Sequence, residues 1–497
     1  MQKALIGRLQ DWFVTGSPLK RAVATLALCL LVGLSAGAVL AFLKPVYVLA
    51  LLVASIGGLA MLRSTQLAFA ALVVVICLLP FAAVPGPDIG FTPTILDLVL
   101  VTLLVTWLFR LARKKQPEFV TSVLGLPILA FMLLVCASFV IGLSYASLST
   151  NLIRHFVELL LNMLLFFVVI NNVRTEQAVE RIVQVLLLAG LAAALIGIVL
   201  YFLPHETTIR LLSMLRVFRY PSGSEVLRFI EDNAELPLRA TSTSIDPNVL
   251  GGLLAVITAV AAPQLLTRDP LPLFRIGPRW RGINWLALPV LGVLLACLVL
   301  TYSRSALMGL GVGVGIMGLA RYRRLLPWIA LATVLVLLLP QTQAYVQRLL
   351  QGARGEDLAT QMRFGEYKDA LILIGRHPWF GVGFAGAPNI DVYLGVSSLY
   401  LLIAEETGFA GLALFLAIAL LTLRQVARSL RTLARNPRLE AVEWGILTAL
   451  IGILTSGIFD HYFFNINFQH AVALLWLCIG LAMAVTLLPD RSALTVA

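Results

Sequence analysis

Long apolar runs alternate with short charged breaks along the whole chain. Fourteen runs lie near 22–43, 46–62, 67–84, 91–109, 118–143, 151–171, 182–204, 246–266, 284–302, 305–320, 325–339, 397–423, 441–459 and 466–488. As helices they are long enough to cross a hydrocarbon core of roughly 30 Å. Barrel strands would be shorter and strictly alternating, so the pattern predicts spanning helices. The fold class is therefore all-α, a polytopic membrane bundle of about fourteen transmembrane helices. Two polar stretches are too long to be plain connectors. The chain accordingly divides into membrane helices over 1–204, an outer loop over 205–245, central helices over 246–339, a larger outer loop over 340–396, and C-terminal helices over 397–497. Long loops on a rigid scaffold are where function concentrates.

Composition agrees with this reading. The chain is 60% hydrophobic and only 12% charged, which excludes a soluble globule. The net charge of +12 has a membrane explanation and calls for no nucleic-acid partner. With both termini cytoplasmic, 24 of the 37 basic residues fall in inside segments, among them "RLARKK" at 110–115 and "RYRR" at 321–324. An odd number of spans would reverse half of that bias. The N-terminal "MQKALIGRLQDWFVTGSPLKR" is basic and amphipathic and lacks a small-residue cleavage site, so it is expected to be retained. All five cysteines lie in apolar runs and read as packing residues.

Candidate chemistry gathers on the outer side. In "LRATSTSIDPNVLGGLL", Asp246 and Pro247 open a helix, and Arg239 precedes it where backbone donors already favour an anion. Arg304, in "TYSRSALMGLGVGVGIMGL", is held at the junction of two spans and is either an interfacial charge or a fixed cation. The G-x-G-x-x-G of Gly313, Gly315 and Gly318 lies inside an apolar span and reads as close helix packing. Glu405 and Glu406 stand side by side in "SSLYLLIAEETGFAG"; Ser398 shares a face with Glu405. A carboxylate in lipid costs several kcal/mol, so at least one should face a polar cavity or an arginine, with Arg239 and Arg304 the natural partners. The alternative is a structural ion pair. Asp460 and His461 lie at the outer end of the thirteenth span; Asp97 and Glu158 are expected to serve helix packing. There is no P-loop, D-x-D pair or H-E-x-x-H, so neither cofactor nor metal is expected.

Three stretches together resemble the bacterial O-antigen ligase and O-antigen polymerase superfamily. They are "RATSTSIDPNVLGGLL", "TYSRSALMGLGVG", and "RFGEYKDALILIGRHPWFGVGFAG" with "SSLYLLIAEETGFAG". The last carries His377, Gly381 and Gly383 in the family's His-Pro-x-x-Gly-x-Gly, then nine residues before Gly408 and Gly411. The resemblance covers roughly 235–465. It implies metal-independent, inverting glycosyl transfer at the outer face of the bacterial inner membrane, from a glycan on undecaprenyl diphosphate to a glycan or lipid acceptor. It also implies that Arg239 and Arg304, joined by Arg363, grip the donor diphosphate. Where the family's ligases have a His-Asn pair, this chain has Ser397 and Ser398. Serine is a poor general base. The base then comes from Glu405, Glu406, His377, Asp460 or His461, with Glu405 and Glu406 favoured. That departure favours a polymerase over a lipid A ligase. A transporter of lipid-linked sugars and an inactive scaffold are the remaining readings; no paired broken helices support the first.

Overall fold

The computed structural model describes residues 17–42, 45–85, 92–112, 119–144, 148–275, 279–280, 282–338, 343–384 and 396–488. The basic N-terminal segment up to 16, the tail of the Gly/Pro-rich stretch over 385–395 and the second half of "RLARKK", 113–115, lie outside the described residues. Two compact units are present. One comprises residues 1–59 with 85–87 and contains α1 (Pro18–Phe42) and most of α2 (Pro45–Arg63). The other, residues 60–84 and 88–497, holds every candidate site residue.

In the larger unit the helices are α3 (Thr65–Leu78), α4 (Ile95–Ala112), α5 (Gly125–Gly142), α6 (Thr150–Asn172), α7 (Glu176–Phe202), α8 (His205–Ser213), α9 (Pro247–Ala261), α10 (Pro272–Arg275), α11 (Ala287–Leu300), α12 (Arg304–Ala320), α13 (Leu326–Leu338), α14 (Gln343–Arg354), α15 (Leu358–Arg376), α16 (Leu399–Leu433), α17 (Pro437–Ser456) and α18 (Gln469–Thr486). Strands among the described residues are limited to two short antiparallel pairs. These are β1 (Arg228–Phe229) with β2 (Leu238–Arg239), and β3 (Arg279–Trp280) with β4 (Ile283–Asn284). The molecule is therefore all-α. Among the described residues eight helices are long and apolar enough to cross a membrane: α4, α5, α6, α7, α9 with its short extension to Leu265, α16, α17 and α18. Shorter apolar helices, α3, α11 and α12, accompany them.

Burial separates a core from a rim. Nearly all residues of α9 and α18 are buried, whereas most residues of α4 and α5 are not and turn apolar surface outward, as lipid-facing helices do. α12 and α17 pack backbone to backbone. A Cβ on Gly313 would lie 2.5 Å from the Thr448 carbonyl oxygen, and one on Gly309 would collide with the Gly452 carbonyl. The Gly-rich run is a packing face, as its apolar setting predicts.

Asp97 ties α4 to α6 through a residue the pattern did not mark, and Glu158 supports that residue from within α6. Arg154 of α6 reaches Asp97 of α4 at 3.0 Å and Glu158 one turn on at 3.5 Å. At the other end of α17 from the site, Arg438 binds Glu180 at 2.6 Å and Asp269 at 2.8 Å.

Candidate active site

Arg239 is fixed by the short hairpin that β1 and β2 form, in the register Arg228↔Arg239. The next amide, Ala240, donates to the Leu300 carbonyl at 2.9 Å, which docks the hairpin on the end of α11. Arg239 Nε then donates to the Thr301 carbonyl at 2.8 Å, and Nη2 to Asn248 Oδ1 at 2.6 Å. Asp246 caps α9, accepting from Asn248 N at 2.7 Å and Val249 N at 3.1 Å, with Pro247 in the first turn as expected. Burial first, and Arg363 with it, lowers the Arg239 guanidinium to about 10 against the pull of Asp246 and Asp460. It remains a cation at neutral pH. Ile245 (φ 60°) and Tyr302 (φ 54°) hold left-handed backbone beside this arginine. A β-branched residue there is strained, and such strain concentrates at functional sites.

Tyr302 leads into α12, so Arg239 sits on the turn that delivers Arg304. Arg304 Nη2 pairs with Asp357 Oδ2 at 2.7 Å. The Asp357 side chain is only 5% exposed. Burial would raise that carboxyl, but the hydrogen bond and charge of Arg304 hold it below its ordinary value. One residue on, Ser305 Oγ donates to Asp460 Oδ2 at 3.2 Å.

Asp460 is buried at the turn following α17. Its other oxygen, Oδ1, accepts from the His461 amide at 3.0 Å and lies 3.7 Å from His461 Nδ1. Burial raises its pKa, while His461 and Arg363 pull it back. Its carbonyl and that of Gly457 both accept from Leu399 N, at 2.9 and 2.8 Å, so the start of α16 is docked on this turn. Arg363 of α15 acts electrostatically on Arg239, Asp460 and Tyr367. Arg239, Arg363 and Asp460 thus share one neighbourhood, and Ser305 links it to Arg304.

Ser397 and Ser398 are held by their surroundings. Glu366 accepts from Ser397 N at 2.9 Å, the Tyr367 hydroxyl donates to the Ser397 carbonyl at 3.0 Å, and Ser398 Oγ reaches the Gly457 carbonyl at 3.4 Å.

The His-Pro stretch closes a break in α16. Gly408 (φ 70°, ψ −177°) interrupts the helix, freeing the carbonyls of Glu405 and Glu406. Val382 N donates to Glu405 O at 2.8 Å and Gly383 N to Glu406 O at 3.0 Å, while Phe409 N turns to Pro378 O at 2.7 Å. Ser138 Oγ of α5 also reaches the Glu406 carbonyl, and the Phe380 carbonyl at 2.8 Å. His377 begins this crossing, with Gly381 N donating to its carbonyl at 3.1 Å. Gly381 (φ 68°) and Gly383 (φ 79°) press against the backbones of α16 and α5, where a Cβ would collide.

The expectation that Glu405 or Glu406 meets Arg239 or Arg304 is corrected here. Those arginines have the partners just named. Glu405 instead senses Asp369 of α15, and Glu406 senses Glu405. Each of the three carboxylates has an oxygen buried without a hydrogen-bond partner. Sequence reasoning did not single out Asp357, Glu366, Tyr367, Asp369 or Ser305. Only Ser305 carried a signal, as the residue after Arg304.

Residues 289–416 match the family model described as O-antigen ligase. Over this segment, about a quarter of the chain, the sequence is similar to the O-antigen ligase family, which supports the resemblance to the ligase and polymerase superfamily. No curated protein matches the chain. The matched segment runs from α11 to the middle of α16. It includes Arg304, Asp357, Arg363, the His-Pro crossing and the Gly408 break; Arg239 and Asp460 flank it on either side. Members of that family are glycan-transferring membrane proteins, and the multi-pass helical architecture fits the likeness.

Proposed function

We propose that the chain transfers a glycan from undecaprenyl diphosphate to a glycan acceptor, as a polymerase of cell-surface polysaccharide. In this reading it lies in the bacterial inner membrane with about fourteen spans, both termini inside and the site facing outward. The observation that carries the reading is the neighbourhood of Arg239, Arg363 and Asp460 beside Arg304. Fixed guanidinium groups suit a diphosphate, and a buried carboxylate beside them suits a base.

The chemistry follows from those groups. The acceptor hydroxyl gives its proton to Asp460 as its oxygen attacks the anomeric carbon. The bond from that carbon to the phosphate oxygen breaks, with inversion. Negative charge then grows on the leaving undecaprenyl diphosphate, where Arg239, Arg304 and Arg363 stabilise it. Removing one such donor costs ~10²–10³ in rate at comparable sites. His461 lies beside Asp460 as a partner for the proton. Glu405 and Glu406 keep a supporting role at the helix break.

The second reading is a ligase that moves the glycan to lipid A core or to another lipid or protein, and the description of the matching family favours it. One experiment separates the readings. Protein in nanodiscs is given a lipid-linked oligosaccharide, with and without lipid A core, and products are sized. Longer lipid-linked glycan marks a polymerase; glycan on the added acceptor marks a ligase. Arg239→Ala and Arg304→Ala should each reduce transfer at least 100-fold, about the cost of one lost donor. Full activity in both variants removes the proposed role.

A further inference from the structure

Arg304 already holds an anion, and that anion belongs to the protein. Asp357 stands at the N-cap position of α15, where an aspartate ordinarily bonds the first free amides of its helix. Its side chain makes no such cap bond. It turns to Arg304 Nη2 at 2.7 Å and is buried there. The other side of the guanidinium is also fitted. A Cβ on Gly352, near the end of α14, would run into Arg304 Nη1. The α14–α15 turn, with Gly355 at φ 70°, therefore closes around this arginine from two sides.

We propose that Asp357 is a positioning residue that occupies Arg304 as a placeholder for the donor diphosphate and yields it when the donor binds. This rests on the reading of Arg304 as a diphosphate contact. Carboxylate and phosphate oxygens take the same fork of a guanidinium, so they compete for it. A diphosphate has more charge and more acceptor oxygens, and Arg363, less than two turns along α15 from Asp357, adds a second cation. With the donor absent, Asp357 keeps Arg304 from reorienting or drawing in other anions. The cost is in affinity, because apparent binding is reduced by the fraction of molecules in which Arg304 is released.

The test uses the full chain in nanodiscs with farnesyl diphosphate as the probe, titrated calorimetrically. Asp357→Asn should bind the probe about 5- to 30-fold tighter than the unmodified chain, the range that one or two kcal/mol of lost competition produces. Asp357→Glu should stay within about 3-fold, because it keeps the competing charge. The gain should vanish in Arg304→Ala/Asp357→Asn. In turnover, KM for a lipid-linked donor should fall in Asp357→Asn with no rise in kcat. A residue that only orients Arg304 predicts the reverse, a weaker probe and a higher KM, and that result overturns the proposal. A second measurement needs no variant. Carbodiimide labelling of Asp357, read by mass spectrometry, should rise when the probe is added; unchanged labelling also overturns it. Failure of the chain to bind the probe in any form overturns both this exchange and the diphosphate role of Arg304. Probe binding in the expected pattern without glycan transfer removes the transfer reading alone.

Discussion

In the proposed mechanism Asp460 takes the acceptor proton, and its environment gives it opposite effects on activity and stability. Burial raises its pKa, so the folded protein disfavours the charged form. A carboxyl raised on folding adds stability below its ordinary pKa of about 3.9, and loses it as pH climbs through the raised folded value. At neutral pH a charged Asp460 is therefore a stability liability. Asp460→Asn should melt at or above the temperature of the unmodified protein while transfer falls about 10²–10⁴-fold, the usual contribution of a general base. The acid limb of the pH–rate profile should lie above that of a free carboxylate. A marked loss of melting temperature with activity retained would make Asp460 structural.

At the scale of elements, the break in α16 explains why two motifs far apart in sequence belong together. Gly408 holds a conformation essentially reserved for glycine, and the amides of Val382 and Gly383 take the carbonyls that the break sets free. A buried carbonyl without a partner would cost about 1–3 kcal/mol. Gly408→Ala adds both strain, about 1–3 kcal/mol, and a collision with the Trp379 backbone. Its melting temperature should drop, and amide exchange should quicken at Val382 and Gly383 before it does in α18. Exchange that speeds evenly through the bundle would mean the crossing is not what Gly408 supports.

Across the whole molecule, the same glycine run serves two surfaces with different demands. Gly313 faces α17, with Thr448 O at 2.5 Å from where a Cβ would stand, whereas nothing lies within 4 Å of Gly315. Gly313→Ala should destabilise the bundle by about 1–3 kcal/mol through overpacking. Gly315→Ala should be neutral or stabilising by up to about 1 kcal/mol, because alanine loses less entropy in a helix. Thermal melts of the two variants in one lipid mixture check the contrast, and equal effects would contradict the packing of α12 on α17.

Hydrophobic patterning alone determined that this chain is helical and membrane-bound, because a bilayer leaves the backbone few ways to satisfy its polar groups. Local rules also placed the start of α9 at Asp246 and Pro247 and set aside the glycine run as a ligand site. Residue type singled out Arg239, Arg304 and Asp460, since charge near an apolar span needs a reason. Pairing was another matter. Arg304 lies 53 residues from Asp357 in sequence. Nothing local announced that Asp357, rather than Glu405 or Glu406, would take it. The break at Gly408 and the crossing that caps it were equally hidden, because a positive φ is forced by contacts across the fold. Side-chain neighbours are decided by which helices pack and at what register, and tertiary structure alone supplies that information.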